Sequence, residues 1–316
     1  MDEKTCLSKM IGPGQRRETK WLAGVIQILV TRGCDQSCAN CTQSSQLAGK
    51  IEFMTPDNFE KSVISLQNYF GVVGTMGGNP AVSTYFGEYC EILKKYIPFE
   101  RRGLWCNSPR GKGKLMRDTF NPRYSNLNCH LDKEAYAEFK RDWPESMPFG
   151  HDRDSRHAPV LVAMKDVIAD EGRRWELISN CDINRGWSAG IIQFRGQARA
   201  FFCEIAASFA GLYQHDPSYP DLGYPVDFVN GHGQKWWQLG MHSFTDQVRQ
   251  ACHSCGVPLR GHGELSQSAD GVEQVSATHQ SIYQPKRKGR RVELVTVESQ
   301  LGERLGNVVR YLQNGA

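Results

Sequence analysis

Seven of the chain's eleven cysteines fall into two groups whose spacing suits metal coordination. The first, Cys34-x3-Cys38-x2-Cys41, lies in the stretch VTRGCDQSCANCTQ, just after an apolar run. Three thiolates on one loop hold three corners of a metal cluster and leave one metal position for a ligand from elsewhere. Structural zinc sites prefer four protein ligands and pair C-x2-C knuckles, a template this run fits poorly. Iron–sulfur clusters are held by short cysteine runs of this sort, and free thiols are the remaining alternative. The second group, Cys181, Cys203, Cys252 and Cys255, has 21, 48 and 2 residues between its members. Four thiols brought together would close a metal site completely. Iron–sulfur and tetrahedral zinc compete for this set, because CHSC is a good zinc half-site with His253 as a further candidate ligand, and unliganded thiols are the remaining alternative. Cys6, Cys90, Cys106 and Cys129 stand outside both groups and read as small hydrophobes.

Such loops need a frame to hold them. From residue 21 short apolar runs alternate with amphipathic stretches, the βα signature of a parallel sheet. Strands are expected at 24–30, 71–76, 103–107, 126–131, 159–164 and 175–179, and six strands fit an α/β fold of the partial (β/α)6, TIM-like barrel kind. Thr55 caps an expected helix over 56–69 with Pro56 in its first turn. Phe59, Val63, Leu66 and Phe70 recur along it as one stripe, and Phe86, Cys90, Leu93 and Ile97 repeat that spacing in the next helix. The segment 142–158 reads as loop. Beyond it, SAGIIQFRGQARAFFCE is two apolar arms about an RGQ turn, a β-hairpin. A Pro/Gly-rich connection and a short helix near 242–252 then deliver Cys252 and Cys255. The polar end of the chain carries KRKGRR at 286–291 and an expected helix over 301–313. The chain therefore divides into an N-terminal extension (1–20), a barrel (21–180), a hairpin-plus-helix region (181–265) and a polar tail (266–316).

The cysteine loop after the first strand resembles the signature of the radical S-adenosylmethionine (radical SAM) superfamily. The resemblance implies a partial (β/α)6 barrel, a 4Fe-4S cluster held by Cys34, Cys38 and Cys41, and S-adenosylmethionine chelating the open iron through its amino and carboxylate groups. Gly33 would let the backbone turn tightly at the strand end. TMGGNPAV, after the second strand, is similar to the family's Gly-Gly-Glu-Pro turn, which implies Gly77, Gly78, Asn79 and Pro80 as contacts to the methionine moiety. Asn79 replaces the acid there, and Asn40 stands before the third cysteine where the family often has an aromatic residue. Asn107, at the end of the third strand, and Asn128 or His130, at the end of the fourth, would face the same mouth, with strand-end capping as the alternative role. The region carrying Cys181, Cys203, Cys252 and Cys255 resembles the twitch or SPASM-like extension, which implies an auxiliary 4Fe-4S cluster, zinc being the alternative.

The chemistry implied is reduction by an electron donor such as a flavodoxin or ferredoxin, cleavage of S-adenosylmethionine to a 5′-deoxyadenosyl radical, and hydrogen abstraction from a substrate. No residue is singled out as the catalytic acid or base. Cys106 or Cys129 would return a hydrogen atom if it faced the interior, and the polar stretches GHDRDSRHAPV and CDINRGWSAG would line the mouth or solvate the surface. A formal charge of +4 on 316 residues implies by itself neither nucleic acid nor an anionic membrane. KRKGRR with Tyr283 nearby suits a phosphate backbone, so the favoured substrate is a nucleotide or nucleic-acid base. Peptide maturation or a small metabolite is the alternative within the enzyme class, and a non-catalytic zinc-binding protein the alternative outside it. With no apolar run long enough to span a membrane and no apolar leader, a cytoplasmic chain with reduced thiols and no membrane partner is expected.

Overall fold

The computed structural model describes residues 1–15, 24–47, 49–150, 158–265, 271–286, 288–297 and 311–312. Strand β1 (Val25–Leu29) is buried along its whole length, as a strand covered on both faces must be. Strands β2 (Val72–Met76), β3 (Arg102–Cys106) and β4 (Ser125–Leu127) follow, each parallel to the one before. Helices Pro56–Ser65, Phe86–Tyr96 and Gly113–Thr119 form the crossovers. Thr55 accepts the Asn58 N–H at 3.3 Å and Pro56 fills the first position, the cap that the sequence calls for. Phe59, Val63 and Leu66 are fully buried, worth about 1.5–3 kcal/mol apiece. The helix stops at Ser65, four residues short of the expected end, and Phe70 is left 45% exposed. The stripe Phe86, Cys90, Leu93 and Ile97 is buried throughout.

The last two of the six expected strands do not form. Residues 159–164 are a buried turn whose backbone is served from outside any sheet: Gly256 N–H reaches Val160 O at 3.4 Å, Ser276 N–H reaches Leu161 O at 3.0 Å, and Ala163 N–H reaches Ser276 Oγ at 2.8 Å. Residues 175–179 lie in helix Glu171–Ser179, capped by Asp170, which accepts the Arg173 N–H at 3.2 Å. An apolar run this short fits both periods, and tertiary packing chooses between them. The fifth parallel strand comes instead from the hairpin. Strand β5 (Ser188–Phe194) pairs with β1 from Val25↔Ser188 to Leu29↔Ile192, then turns back through Arg195 and Gly196, both at positive φ, into β6 (Gln197–Phe201). Left-handed φ at both turn residues matches the twist of a two-residue hairpin. With β7 (Tyr224–Pro225) the sheet order is β4-β3-β2-β1-β5-β6-β7, so β1 is central and the hairpin continues the main sheet.

A second sheet joins β8 (Val272–Val275) parallel to β9 (Arg291–Leu294), which pairs antiparallel with β10 (Tyr311–Leu312). The helix expected over 301–313 lies largely outside the described residues, and Tyr311–Leu312 within it is paired as strand. At the other end, helix Glu3–Lys9 is capped by Asp2, which accepts the Thr5 N–H at 2.7 Å. It is docked rather than free: the Met1 ammonium donates to Gly172 O at 3.1 Å and Arg249 grips Glu3 at 2.7 and 2.8 Å. Among the described residues no helix is long and apolar enough to cross a membrane.

Candidate active site

Because β1 to β4 run parallel, their C-terminal ends open on one edge, where ligand sites of such sheets gather. The chain leaves β1 into the first cysteine loop and β2 into Gly77-Gly78. These two turns are welded by backbone: Gly78 N–H donates to Thr31 O and Asn79 N–H to Gly33 O, both at 2.8 Å. A Cβ at Gly77 would lie 2.3 Å from Thr31 O, and one at Gly78 2.3 Å from Gly33 O. Only glycine allows that approach. Thr31 Oγ1 locks the same corner, accepting the Gly33 N–H and donating to Glu52 O, both at 2.8 Å.

A cleft open to solvent lies above these turns. Cys34, Cys38 and Cys41 line it, and Gly77, Gly78, Cys106, Asn107, Asn128 and His130 are among the other lining residues. Two sulfurs are surrounded by donors. Cys34 Sγ accepts from Gln36 N–H at 3.3 Å and Asn107 Nδ2 at 3.1 Å. Burial pushes the Cys34 thiol up to about 12, against the pull of those two donors. Burial likewise raises the Cys41 thiol, against the N–H groups of Ser45 and Gln43. A buried thiol becomes a ligand when a metal cation takes the place of its proton, and N–H donors aimed at sulfur then stabilise the thiolate. Asn107 Oδ1 is buried with no hydrogen-bond partner, an acceptor at the cleft wall ready for a donor from a ligand.

Asn79 and Pro80 are placed differently from Gly77 and Gly78. Asn79 is fully buried, and its amide is spent internally: Oδ1 accepts from Ala81 N–H and Cys106 Sγ, both at 3.1 Å, while Nδ2 donates to Asp35 at 3.2 Å and Ser108 O at 3.1 Å. It ties the loop of Cys34 to the end of β3. Pro80 opens a 3-10 turn beneath it. Cys106 faces the cleft wall, and burial raises its thiol. The sequence gives no warning that His130 and Leu131 are both left-handed, at φ 47 and 66. Two consecutive non-glycine residues in that region mark a strained corner of the site. Asn128 Oδ1 accepts the His130 N–H at 3.2 Å, so Asn128 caps the strand end as well as lining the cleft. The expected mouth residues at 151–157 lie outside the described residues.

The second cysteine set also converges. Cys181, Cys203, Cys252 and Cys255 line one small pocket, otherwise walled by apolar residues and Asn184. Cys181 and Cys203 each precede a helix, Asp182–Gly186 and Glu204–Tyr213, and Cys252 ends helix Thr245–Cys252. Burial raises the Cys252 and Cys255 thiols, and the neighbouring cysteines push the same way. Asn184 does not face the cleft; its amide holds Ile11 N–H and O at 3.1 Å each. His253 stands edge-on to Trp175 at 4.4 Å and is not part of the cavity wall. Among the described residues no three His, Cys, Asp or Glu side chains enclose a single metal ion; what the cysteines share in each set is the wall of a cavity.

No family model matches the chain, and no curated protein matches it. Among solved structures it is similar to that of BtrN in complex with AdoMet and 2-DOIA, at 13% identity over 75% of this chain and 94% of that one, with a TM-score of 0.45. It is also similar to a selenomethionine form of BtrN in an open conformation, at 12% identity over 73% of this chain and 87% of that one, with a TM-score of 0.39.

Asn40 is spent on the second sheet. At φ 52, its N–H donates to Glu273 Oε1 at 3.1 Å, its Nδ2 to Val272 O at 3.1 Å, and its Oδ1 accepts the Gln274 N–H at 2.9 Å. The side chain acts as a short length of strand, joining the cysteine loop to β8. Arg290, one of the five basic residues of KRKGRR, is buried and turned onto the same loop, while Lys286, Lys288 and Arg291 stay exposed.

Proposed function

We propose that the chain is a radical SAM enzyme, with Cys34, Cys38 and Cys41 as the three protein ligands of a 4Fe-4S cluster and the cleft beside them as the seat of S-adenosylmethionine. One observation carries the reading: the C-x3-C-x2-C loop and the Gly77-Gly78 turn, separated by 35 residues between Cys41 and Gly77, line one cleft at the C-terminal edge of the parallel strands. Such a cluster, when bound and reduced, supplies the electron that splits S-adenosylmethionine into methionine and a 5′-deoxyadenosyl radical. The chain's own work is positional. Gly77 and Gly78 bring backbone polar groups against the ligand, Asn107 holds the Cys34 sulfur and offers a free acceptor, and Asn79 keeps the loops in register. Asn128 and His130 form the wall where the substrate would enter.

Cys181, Cys203, Cys252 and Cys255 would hold a second 4Fe-4S cluster, with zinc as the alternative metal. The electron donor would be a flavodoxin or ferredoxin, and a nucleotide or nucleic-acid base is the substrate class that the exposed Lys286, Lys288 and Arg291 favour. Protein purified and reconstituted without oxygen, then reduced and given S-adenosylmethionine, is expected to release 5′-deoxyadenosine and to carry iron. A colourless, zinc-only protein that releases none would overturn the proposal and favour a non-catalytic zinc protein.

A further inference from the structure

The stretch 37–46, which spans Cys38 and Cys41, is gripped by residues 272–290, far along the chain. Arg290 Nη2 donates to Ser37 O and, at 3.2 Å, to Ser37 Oγ. Its Nη1 lies 3.7 Å from Glu273 Oε2, an ion pair whose side chains are 3% and 0% exposed. The other oxygen, Glu273 Oε1, accepts Asn40 N–H at 3.1 Å and Gln46 Nε2 at 2.9 Å, while Lys286 N–H reaches Gln46 O at 2.9 Å. One buried carboxylate and one buried guanidinium therefore touch the loop at Ser37, Asn40 and Gln46, on both sides of the two cysteines. Among the described residues Arg290 Nε and Nη1 make no hydrogen bond, so the guanidinium's desolvation is offset by its Nη2 contacts to Ser37 and by the Glu273 charge, and loss of either partner leaves a buried charge uncompensated.

We infer that the Glu273–Arg290 pair is a clasp that shuts the second sheet onto the cysteine loop and sets the electrostatics of whatever metal the loop holds, which makes 272–294 an integral part of the site rather than a tail. A negative charge beside a cluster opposes its reduction and a positive charge favours it. Glu273 and Arg290 are thus positioning residues with opposite electrostatic signs. A merely structural prop would have no such sign. The electrostatic half of the inference rests on the cluster reading above; the holding half does not.

The two halves are tested separately. In metal-free, reduced protein, site-resolved alkylation by a maleimide follows opening of the loop: Arg290→Ala is expected to speed labelling of Cys38 and Cys41 about tenfold or more. Cys90, on the buried face of helix Phe86–Tyr96, reports on global folding and is expected to keep its rate. Glu273→Gln, which retains the acceptor for Asn40 and Gln46, is expected to move Cys38 less. Unchanged Cys38 and Cys41 rates in Arg290→Ala would overturn the clasp whether or not the protein binds iron. In reconstituted protein, Glu273→Gln is expected to shift the midpoint potential of the loop's cluster upward and Arg290→Gln downward; shifts of the same sign, or none, would overturn the electrostatic role. Wild type that takes up no iron would sink the proposed function and leave the alkylation result to decide the clasp.

Discussion

Gly78→Ala tests the weld between the two turns that build the cleft. The new methyl would sit 2.3 Å from Gly33 O, 2.7 Å from Gly33 C and 2.7 Å from Ser45 Oγ. Ser45 can rotate, but the backbone atoms cannot, so the Gly-Gly turn must separate from the cysteine loop. Separation breaks Gly78 N–H to Thr31 O and Asn79 N–H to Gly33 O. Those two bonds at about 1 kcal/mol each, with overpacking strain of about 1–3 kcal/mol, put the loss at about 3–5 kcal/mol. Gly87→Ala is the matched control. It lies exposed in the first turn of helix Phe86–Tyr96 with nothing within 4 Å of the added Cβ, and is expected to be neutral or to stabilise by up to about 1 kcal/mol. Urea denaturation of the metal-free proteins measures both, and iron uptake measures whether the displaced loop still loads. A Gly78→Ala variant within about 0.5 kcal/mol of wild type, or no worse than Gly87→Ala, would refute the steric argument.

Asn107→Leu removes the amide donor to Cys34 Sγ and is expected to leave the cluster loaded but lower its midpoint potential, as seen in a potentiometric titration; an unchanged potential would free Cys34 of that bond. Replacing Cys34, Cys38 and Cys41 by Ala is expected to take iron from about eight to about four per chain, with release of 5′-deoxyadenosine abolished; if zinc fills the second site, iron falls from about four to none and zinc is retained. Thr55→Ala is expected to cost about 1 kcal/mol in a urea melt through loss of the helix cap. Burial raises the Asp166 carboxyl, but Thr278 N–H, Ser276 and the Thr278 hydroxyl outweigh it and hold its pKa below the ordinary 3.8. A lowered folded pKa means its stabilisation is whole above 3.8 and is lost as the pH falls through the folded value. Asp166→Asn should therefore flatten that part of the acid-unfolding curve, and an identical slope below pH 3.8 would remove Asp166 from it.

What is contiguous in the chain is legible in the sequence. The first three strands, the start of the fourth, the Thr55 cap, the hairpin turn at Arg195-Gly196 and the short helix bearing Cys252 form near their expected places, because each is decided by local pattern and turn chemistry; the fourth strand ends at Leu127, four residues short of the expected 131. Each cysteine set comes to line one pocket, though among the described residues no three of these side chains enclose a single metal ion. Pairing partners are another matter. Nothing local tells that β5 lies beside β1, since parallel neighbours are chosen by long-range packing. WELIS holds too few residues to separate strand from helix, and its context in helix Glu171–Ser179 decides. The side chains most misjudged are those that imitate backbone or go inward against their type: Asn40 completes a strand edge, Asn79 saturates its amide inside the loop, and Arg290 leaves a basic run to hold Ser37. Composition sees an amide or a charge; only the fold supplies the partner.

The central claim is that the loop of Cys34, Cys38 and Cys41 holds a cluster with one metal position open to S-adenosylmethionine. Electron paramagnetic resonance of the anaerobically reconstituted, reduced protein, recorded with and without S-adenosylmethionine, reads that position directly. To separate the two clusters, the spectra are taken in a variant with Cys252 and Cys255 replaced by Ala. A reduced 4Fe-4S signal whose g-values change when S-adenosylmethionine is added is the result predicted. A signal indifferent to S-adenosylmethionine, or no iron signal at all, would contradict the account.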